Sequence, residues 1–197
     1  GNSLRRILLS SIQGPAITKV KIDGVQHEFS TITGVKEDVT EIILNLKKLN
    51  LKMNTYDPLI ISLSYEGEGE VTAKDIETNQ NVEIVNDHQF IATLSESAKL
   101  DIEMTVEMGR GYMPTESRDE NNHSIGEILV DSIFSPVLKV NYNVTAARVG
   151  RRTDYERLTI EVWTNGTVFP EDAVAYGAKI LKDQMSVFVN FDEEEID

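Results

Sequence analysis

The chain reads as an α+β protein: a strand-rich middle held between helices at the two ends. Three observations predict this. The segments "GNSLRRILLSS" and "PEDAVAYGAKILKDQMSVFV" carry helical periodicity and are apolar over more than half of their circumference. Between them lie short apolar stretches, "LIISLSY" and "LDIEMTVEM" among them, punctuated by turn residues such as "GEGE" and "NDHQ". No apolar run reaches the length a bilayer crossing needs.

In chain order, the first helix is read with Asn2 as its N-cap, since that side chain accepts from an orphan backbone N–H. Leu4, Ile7, Leu8, Ser11 and Ile12 share a face, Leu9 widens it to an arc of roughly 200°, and Arg5 falls inside that arc. Arg6 and Ser10 lie opposite, and Gly14-Pro15 is the expected stop. Ile17, Lys19 and Lys21 then alternate with Thr18, Val20 and Ile22 as a strand, with Asp23-Gly24 as a hairpin turn and Val25 to Phe29 returning. "VKEDVTEIILNLKKLNLKM" predicts a surface helix on Val39, Ile42, Ile43, Leu46 and Leu49. Glu37 and Asp38 are placed in its first turn and Lys47 and Lys48 in its last, matching the helix dipole. Short strands fill Leu59 to Glu107, and residues 109 to 126 form a polar loop expected to move at its centre. "EILVDSIFSPVLKVNYNV" supplies one or two strands, and "VGRRTDYERLTIEVWTNGTV" a hairpin with Asn165-Gly166 as a turn. Pro170 opens the last helix, with Glu171 and Asp172 at its positive end. Its apolar arc, again roughly 200° wide, runs over Tyr176, Val187, Ile180, Ala173, Gly177, Phe188, Leu181, Val174 and Met185; Lys179, Lys182, Asp183 and Asn190 form a narrow polar strip.

One face of such a helix covers a sheet, and the remainder needs a second cover. A helix from a second copy supplies it economically. The competing account is a helix enclosed in one large core. For a single helix that account is the better one; two such helices at opposite chain ends favour a dimer.

The 197 residues suffice for one or two domains. Cysteine is absent, which excludes disulfides, thiolate zinc sites and cysteine nucleophiles and fits a reducing, cytoplasmic setting. Acidic residues outnumber basic ones 33 to 19, so a nucleic-acid duplex repels this surface unless its basic residues cluster. The sequons at Asn122, Asn143 and Asn165 read as chance matches without a signal peptide. The opening Gly and the closing "FDEEEID" read as cut ends of a longer chain with an acidic continuation.

Four stretches, in order, resemble the signatures of a known family: "GNSLRRILLSS", "IDGVQHEFSTITGVKEDVTEIILNLKKL", "GRGYMP" and "YNVTAARVGRRTDYERLTIEVWTNG". The chain resembles the amino-terminal domain of the bacterial RNA polymerase alpha subunit over nearly its whole length. That resemblance implies a discontinuous dimerisation subdomain (residues 1–14 and 140–197, helices on an antiparallel sheet) with an inserted β-rich subdomain (residues 15–139). It implies an assembly role in DNA-templated transcription, the homodimer mounting the beta and beta-prime subunits, with no catalytic residue, cofactor or metal on this chain. The family also carries a strand before the first helix and a separate carboxy-terminal DNA-contacting domain. Neither lies in this sequence, so DNA contact is not assigned to it, nor is membrane association.

Carried over by motif, the dimer face comprises Leu4, Ile7 and Leu8 with Ile180, Leu181, Gln184 and Phe188. Contact with beta falls to Arg6, Leu9, His27, Arg110 and Tyr112. Contact with beta-prime falls to Lys47, Val130, Val137 and Arg157, a position where the family often has lysine. Arg6, on the polar side of its helix, offers a guanidinium fork for directional contacts that lysine does not reproduce. Arg5, inside the apolar arc, needs an internal acceptor.

Other chemistry finds little footing. There is no phosphate-binding glycine loop before a helix and no three-aspartate loop to hold a catalytic magnesium. His27, His88 and His123 show no ligand spacing. The pairs Glu37-Asp38 and Glu171-Asp172 match helix dipoles better than they match acid/base dyads. Asp192 to Glu195 reads as a solvated tail, and Gly150-Arg151-Arg152 as either a phosphate grip or a strand end paired to nearby acids. The alternative functions are a small-molecule enzyme with paired carboxylates in a cleft and a stand-alone dimeric binding module.

Overall fold

In the computed structural model, which describes residues 1–117 and 124–189, helix α1 (Asn2–Ser10) leads directly into a ten-residue strand, β1 (Gln13–Ile22). Gly14 and Pro15, read as a helix stop, therefore already lie in a strand. Pro15 is tolerated because β1 has only one neighbour there, the second pairing beginning at Lys19. The cap of α1 is Gly1, with no side-chain cap bond, so Asn2 sits in the first turn and does not cap it.

The chain divides into two units. The inserted unit is Gln13–Phe134; the terminal unit joins Gly1–Ile12 to the residues from Ser135 onward. The sequence reading drew these borders at 15 and 139. Gln13 and Gly14 belong with the insert because they pair with Arg110 and Gly109. Val137 and Val140 belong with the terminal unit because they pack in one cluster with Leu8 and Ile12.

The inserted unit is built on β1 and ten further strands: β2 (Leu51–Met53), β3 (Leu59–Glu66), β4 (Gly69–Thr72), β5 (Ile76–Glu77), β6 (Val82–Ile84), β7 (Phe90–Leu94), β8 (Lys99–Arg110), β9 (Tyr112–Met113), β10 (Glu127–Leu129) and β11 (Ser132–Ile133). Its main sheet is antiparallel in the order β10-β1-β8-β3-β5. A bulge between Ile17 and Lys19 reverses the side-chain phase of β1, so Ile17 and Val20 are both buried although strict alternation separates them. Asp23-Gly24 does turn the chain, with Gly24 at φ 76° and Val25 N–H donating to the Ile22 carbonyl, but no return strand follows. The long strand β8 takes the partner position along β1 instead.

Helix α2 (Val39–Leu46) is shorter than its apolar pattern suggests. Asp38 is its N-cap and forms a capping box with Glu41, while Glu37 lies outside and accepts from the Thr93 backbone N–H at 2.6 Å. Leu49 stays in the core, but the chain beyond it becomes β2. Val39, Ile42 and Leu46 cap a cluster of twenty-six buried residues that includes Ile61, Leu63, Leu100, Ile102 and Met104.

In the terminal unit, β12 (Val137–Val149) and β13 (Arg152–Thr164) form one long two-stranded ribbon. Its turn is Gly150-Arg151, with Gly150 at φ 63°; Asn165-Gly166 instead connects β13 to α3 (Pro170–Ser186). Pro170 does open this helix, with Glu171 and Asp172 in the first turn. Helices α1 and α3 pack closely at Gly177, where an added Cβ would lie 3.1 Å from Leu8. Among the described residues this unit buries five apolar side chains in its own cluster: Leu8, Ile12, Val137, Val140 and Ala173.

Candidate functional site

The expected dimer face divides unequally between its two helices. Leu8 is fully enclosed and Ile7 nearly so, each by its own chain, which removes Leu8 from any surface role. Leu4 and Leu9 are half-buried. Helix α1 thus hides most of its arc without help, contrary to the sequence reading. Helix α3 does not. Only Ala173 and Gly177 are buried; Ile180 and Leu181 are intermediate; Gln184 is exposed. Tyr176 is 59% exposed, Met185 55%, and Phe188, just past the helix, 76%. The ribbon adds Tyr142, Val144 and Leu158, also exposed, on the face that carries the buried Val140. An uncovered apolar surface of this extent marks an interaction site.

Arg6 is exposed, as its place on the polar side of α1 predicts. Arg5 is exposed as well, not buried; the widened arc ends short of it. It still finds the expected acceptor, its Nε donating to the Val140 carbonyl at 3.2 Å.

Two of the residues carried over from the signatures in the inserted unit, Lys47 and Tyr112, meet at one carboxylate that the sequence reading did not single out. Asp131 accepts from the Thr115 backbone N–H at 2.8 Å and lies 4.0 Å from the Lys47 ammonium. The Tyr112 hydroxyl reaches the same carboxylate. The Thr115 N–H, chiefly, holds the Asp131 pKa below the usual carboxylate range, with Lys47 and Tyr112 adding to it. Tyr112 shifts upward, through partial desolvation and then the Asp131 charge. Tyr112 and Lys47, assigned to different partners, thus meet on one acid. A cleft of about 210 Å³ opens beside them, lined by Thr40, Leu44, Lys47, Thr115, Leu129 and Asp131. Leu44 projects there, 51% exposed. Sequence patterning could not flag Asp131, because its role depends on the Thr115 turn folding back to it.

Arg110 is exposed at the end of β8, and the Gln13 amide, oriented oxygen inward, accepts from its Nη2 and Nε at 3.1 and 3.3 Å. His27 is exposed beside Ser30, its Nδ1 3.2 Å from the Ser30 Oγ. Val130 and Val137 are buried, 2% and 5% exposed, each in the core of its own unit. In the single chain neither side chain is exposed, so substitution there acts first on packing. Arg157 is exposed on β13 opposite Thr145. His123, Asn122, Asn190 and the acids 192 to 195 lie outside the described residues, as does the centre of the 109–126 loop.

Among the described residues, no group of three or more His, Cys, Asp or Glu side chains is placed to hold a metal. No described helix is long and apolar enough to cross a membrane.

A family model described as RNA polymerase Rpb3/RpoA insert domain matches residues 20–135. The chain is similar to proteins named DNA-directed RNA polymerase subunit alpha. It is 56% identical over 194 residues to that of Geobacter metallireducens, covering 98% of this chain and 57% of the relative. It is 58% identical over 195 residues to that of Maridesulfovibrio salexigens, covering 98% and 56%. With the Lawsonia intracellularis protein the identity is 57% over 193 residues, covering 98% and 56%. The chain spans a little over half the length of these curated relatives.

Proposed function

The chain belongs to the family of amino-terminal domains of the bacterial DNA-directed RNA polymerase alpha subunit, and from that premise we propose that it is a non-catalytic assembly scaffold that pairs with a second copy and mounts the two large subunits. In this reading, nucleotidyl transfer occurs on other chains of a cytoplasmic complex. This chain supplies no cofactor, metal or direct DNA contact.

The observation that carries the proposal is the surplus of apolar surface on the terminal unit. Tyr176, Met185 and Phe188 are exposed on a unit whose own core holds five side chains. A second copy laid across α3 buries that surplus symmetrically, one patch serving both sides. The exposed Arg6, His27, Arg110 and Tyr112 then remain for beta, and Lys47, Leu44 and Arg157 for beta-prime.

The test is size-exclusion chromatography with light scattering, followed by capture of isolated beta. The expected result is a dimer that co-elutes with beta, and an Arg6→Ala variant that stays dimeric but captures beta more weakly. A monomer across the micromolar range would overturn the pairing; undiminished capture by the dimeric variant would overturn the role of Arg6.

A further inference from the structure

Asp131 is held on both flanks by buried neighbours. The Val130 N–H donates to the Thr18 carbonyl at 3.0 Å, and the Ser132 hydroxyl donates to the Ile17 carbonyl at 2.8 Å. Val130 and Ser132 are buried, whereas the Asp131 side chain between them is 38% exposed. The in–out–in alternation of extended chain thus presents one carboxylate from a seat fixed to β1. The groups that meet this carboxylate come from two separate stretches. Lys47 is the C-cap residue of α2, its ammonium 4.0 Å away. Tyr112 stands on the two-residue strand β9, which follows Gly111 at φ 63°. Thr115 opens a single 3-10 turn, Thr115–Ser117, and its N–H makes the 2.8 Å bond.

An ion pair this open to water contributes little to stability, because solvent screens it and a long side chain loses rotamer freedom in making it. What it supplies is orientation. A lysine held against a fixed carboxylate has less freedom left to lose when a partner arrives, and the same holds for a tyrosine hydroxyl. Asp131 is charged at neutral pH, since the Thr115 N–H chiefly lowers its pKa. The arrangement also gives the buried Val130 an account. Carried over by motif as a beta-prime contact, it is enclosed by its own chain, so it reaches a partner through the seat it provides for Asp131.

We propose that Asp131 is a positioning residue that couples two partner contacts: it holds Lys47 and Tyr112 on one carboxylate, in the geometry in which beta-prime and beta meet them, so that loss of its charge weakens both contacts together. This inference rests on the assembly reading and deepens it. It assigns Asp131 no contact with either partner; the residue acts through the two side chains it orients.

The test uses the full chain and Asp131→Asn, which keeps the shape and an acceptor for the Thr115 N–H but removes the charge. Capture of isolated beta, and of beta-prime added to that complex, should each weaken about fivefold or more, with thermal melts confirming that the variant stays folded. The effects of Asp131→Asn and Lys47→Met on beta-prime capture should be less than additive, because both remove one arrangement. A role in packing alone would leave tyrosine ionisation unmoved. Partial desolvation first, and then the Asp131 charge, raise the Tyr112 pKa, so its spectrophotometric midpoint, isolated as the difference from Tyr112→Phe, should fall in Asp131→Asn. Undiminished capture, loss of only one of the two contacts, or an unmoved Tyr112 midpoint would overturn the proposal. A parent chain that captures neither large subunit would instead overturn the assembly reading, a result distinct from capture by the parent that Asp131→Asn leaves untouched.

Discussion

Among the described residues, the core cluster of the inserted unit holds twenty-six buried apolar residues, and that of the terminal unit five. Both draw on similar residues: Leu, Ile and Val in strands, with helices laid over them. They differ in closure. The insert sets α2 over a five-stranded sheet whose central strands β1, β8 and β3 each have neighbours on both sides. Among the described residues the terminal unit has a ribbon of two strands, an arrangement marginal in water without further cover. Among the described residues, the same composition thus gives a large closed core in one unit and a small core beside uncovered apolar surface in the other. On the proposed reading, incompleteness of the core, not hydrophobicity alone, is what marks the interface.

The largest effect expected from this contrast is in the closed core. Ile42→Ala, at a fully enclosed position, should cost the inserted unit about 2–5 kcal/mol in chemical denaturation and leave oligomeric state unchanged. A smaller cost would mean that the insert is looser than its burial indicates. Next, Gly34→Ala should cost about 1–3 kcal/mol in the same assay. Gly34 has φ 79°, and a Cβ there would lie 2.7 Å from the Ala98 Cβ. On the open side, Phe188→Ala removes a side chain that is 76% exposed in the single chain. If no second copy covers it, the change is within about 0.5 kcal/mol. The expected outcome is instead a tenfold or greater rise in the dimer dissociation constant by sedimentation, with melting of the terminal unit becoming more dependent on concentration.

The smallest effect is at acid pH. The Lys99 and Ser64 bonds lower the pKa of Asp101, and the Thr115 N–H lowers that of Asp131. A carboxyl whose folded pKa is depressed contributes stability above its unfolded value, near pH 4, and loses it as pH falls through the folded value. Lys99 is raised by the same Asp101 pair, so its contribution is present below its ordinary value and lost as pH rises through the folded one. All three groups lie in the inserted unit. The acid limb of that unit's melting temperature should therefore flatten in Asp101→Asn/Asp131→Asn, measured by calorimetry across pH 2 to about 5. An unchanged slope would remove these carboxylates from the account. Both are about one-third exposed, so solvent screening keeps the effect modest.

Much of the α+β reading was legible because it rests on local signals. Pro170 followed by Glu171 and Asp172 opens a helix, and the apolar alternation of "LIISLSY" and "LDIEMTVEM" produces β3 and β8. The candidate site was legible in part. The exposure of α3 and Arg6 follows from their helical wheels, whereas the enclosure of Leu8, Val130 and Val137 and the exposure of Arg5 do not.

Sequence by itself determined most of the segments that become helix or strand, that an apolar excess lies at a chain end, and, through four ordered signatures, the family. Those properties depend on neighbours a few residues apart, where periodicity and capping act directly. Only the tertiary structure decided that β1 pairs with β8 and not with a return strand, that α3 and not α1 carries the uncovered surface, and that Asp131 gathers Lys47, Tyr112 and Thr115. Each of these depends on contacts between residues distant in the chain, whose partners compete on packing and register, and no local pattern records which partner wins.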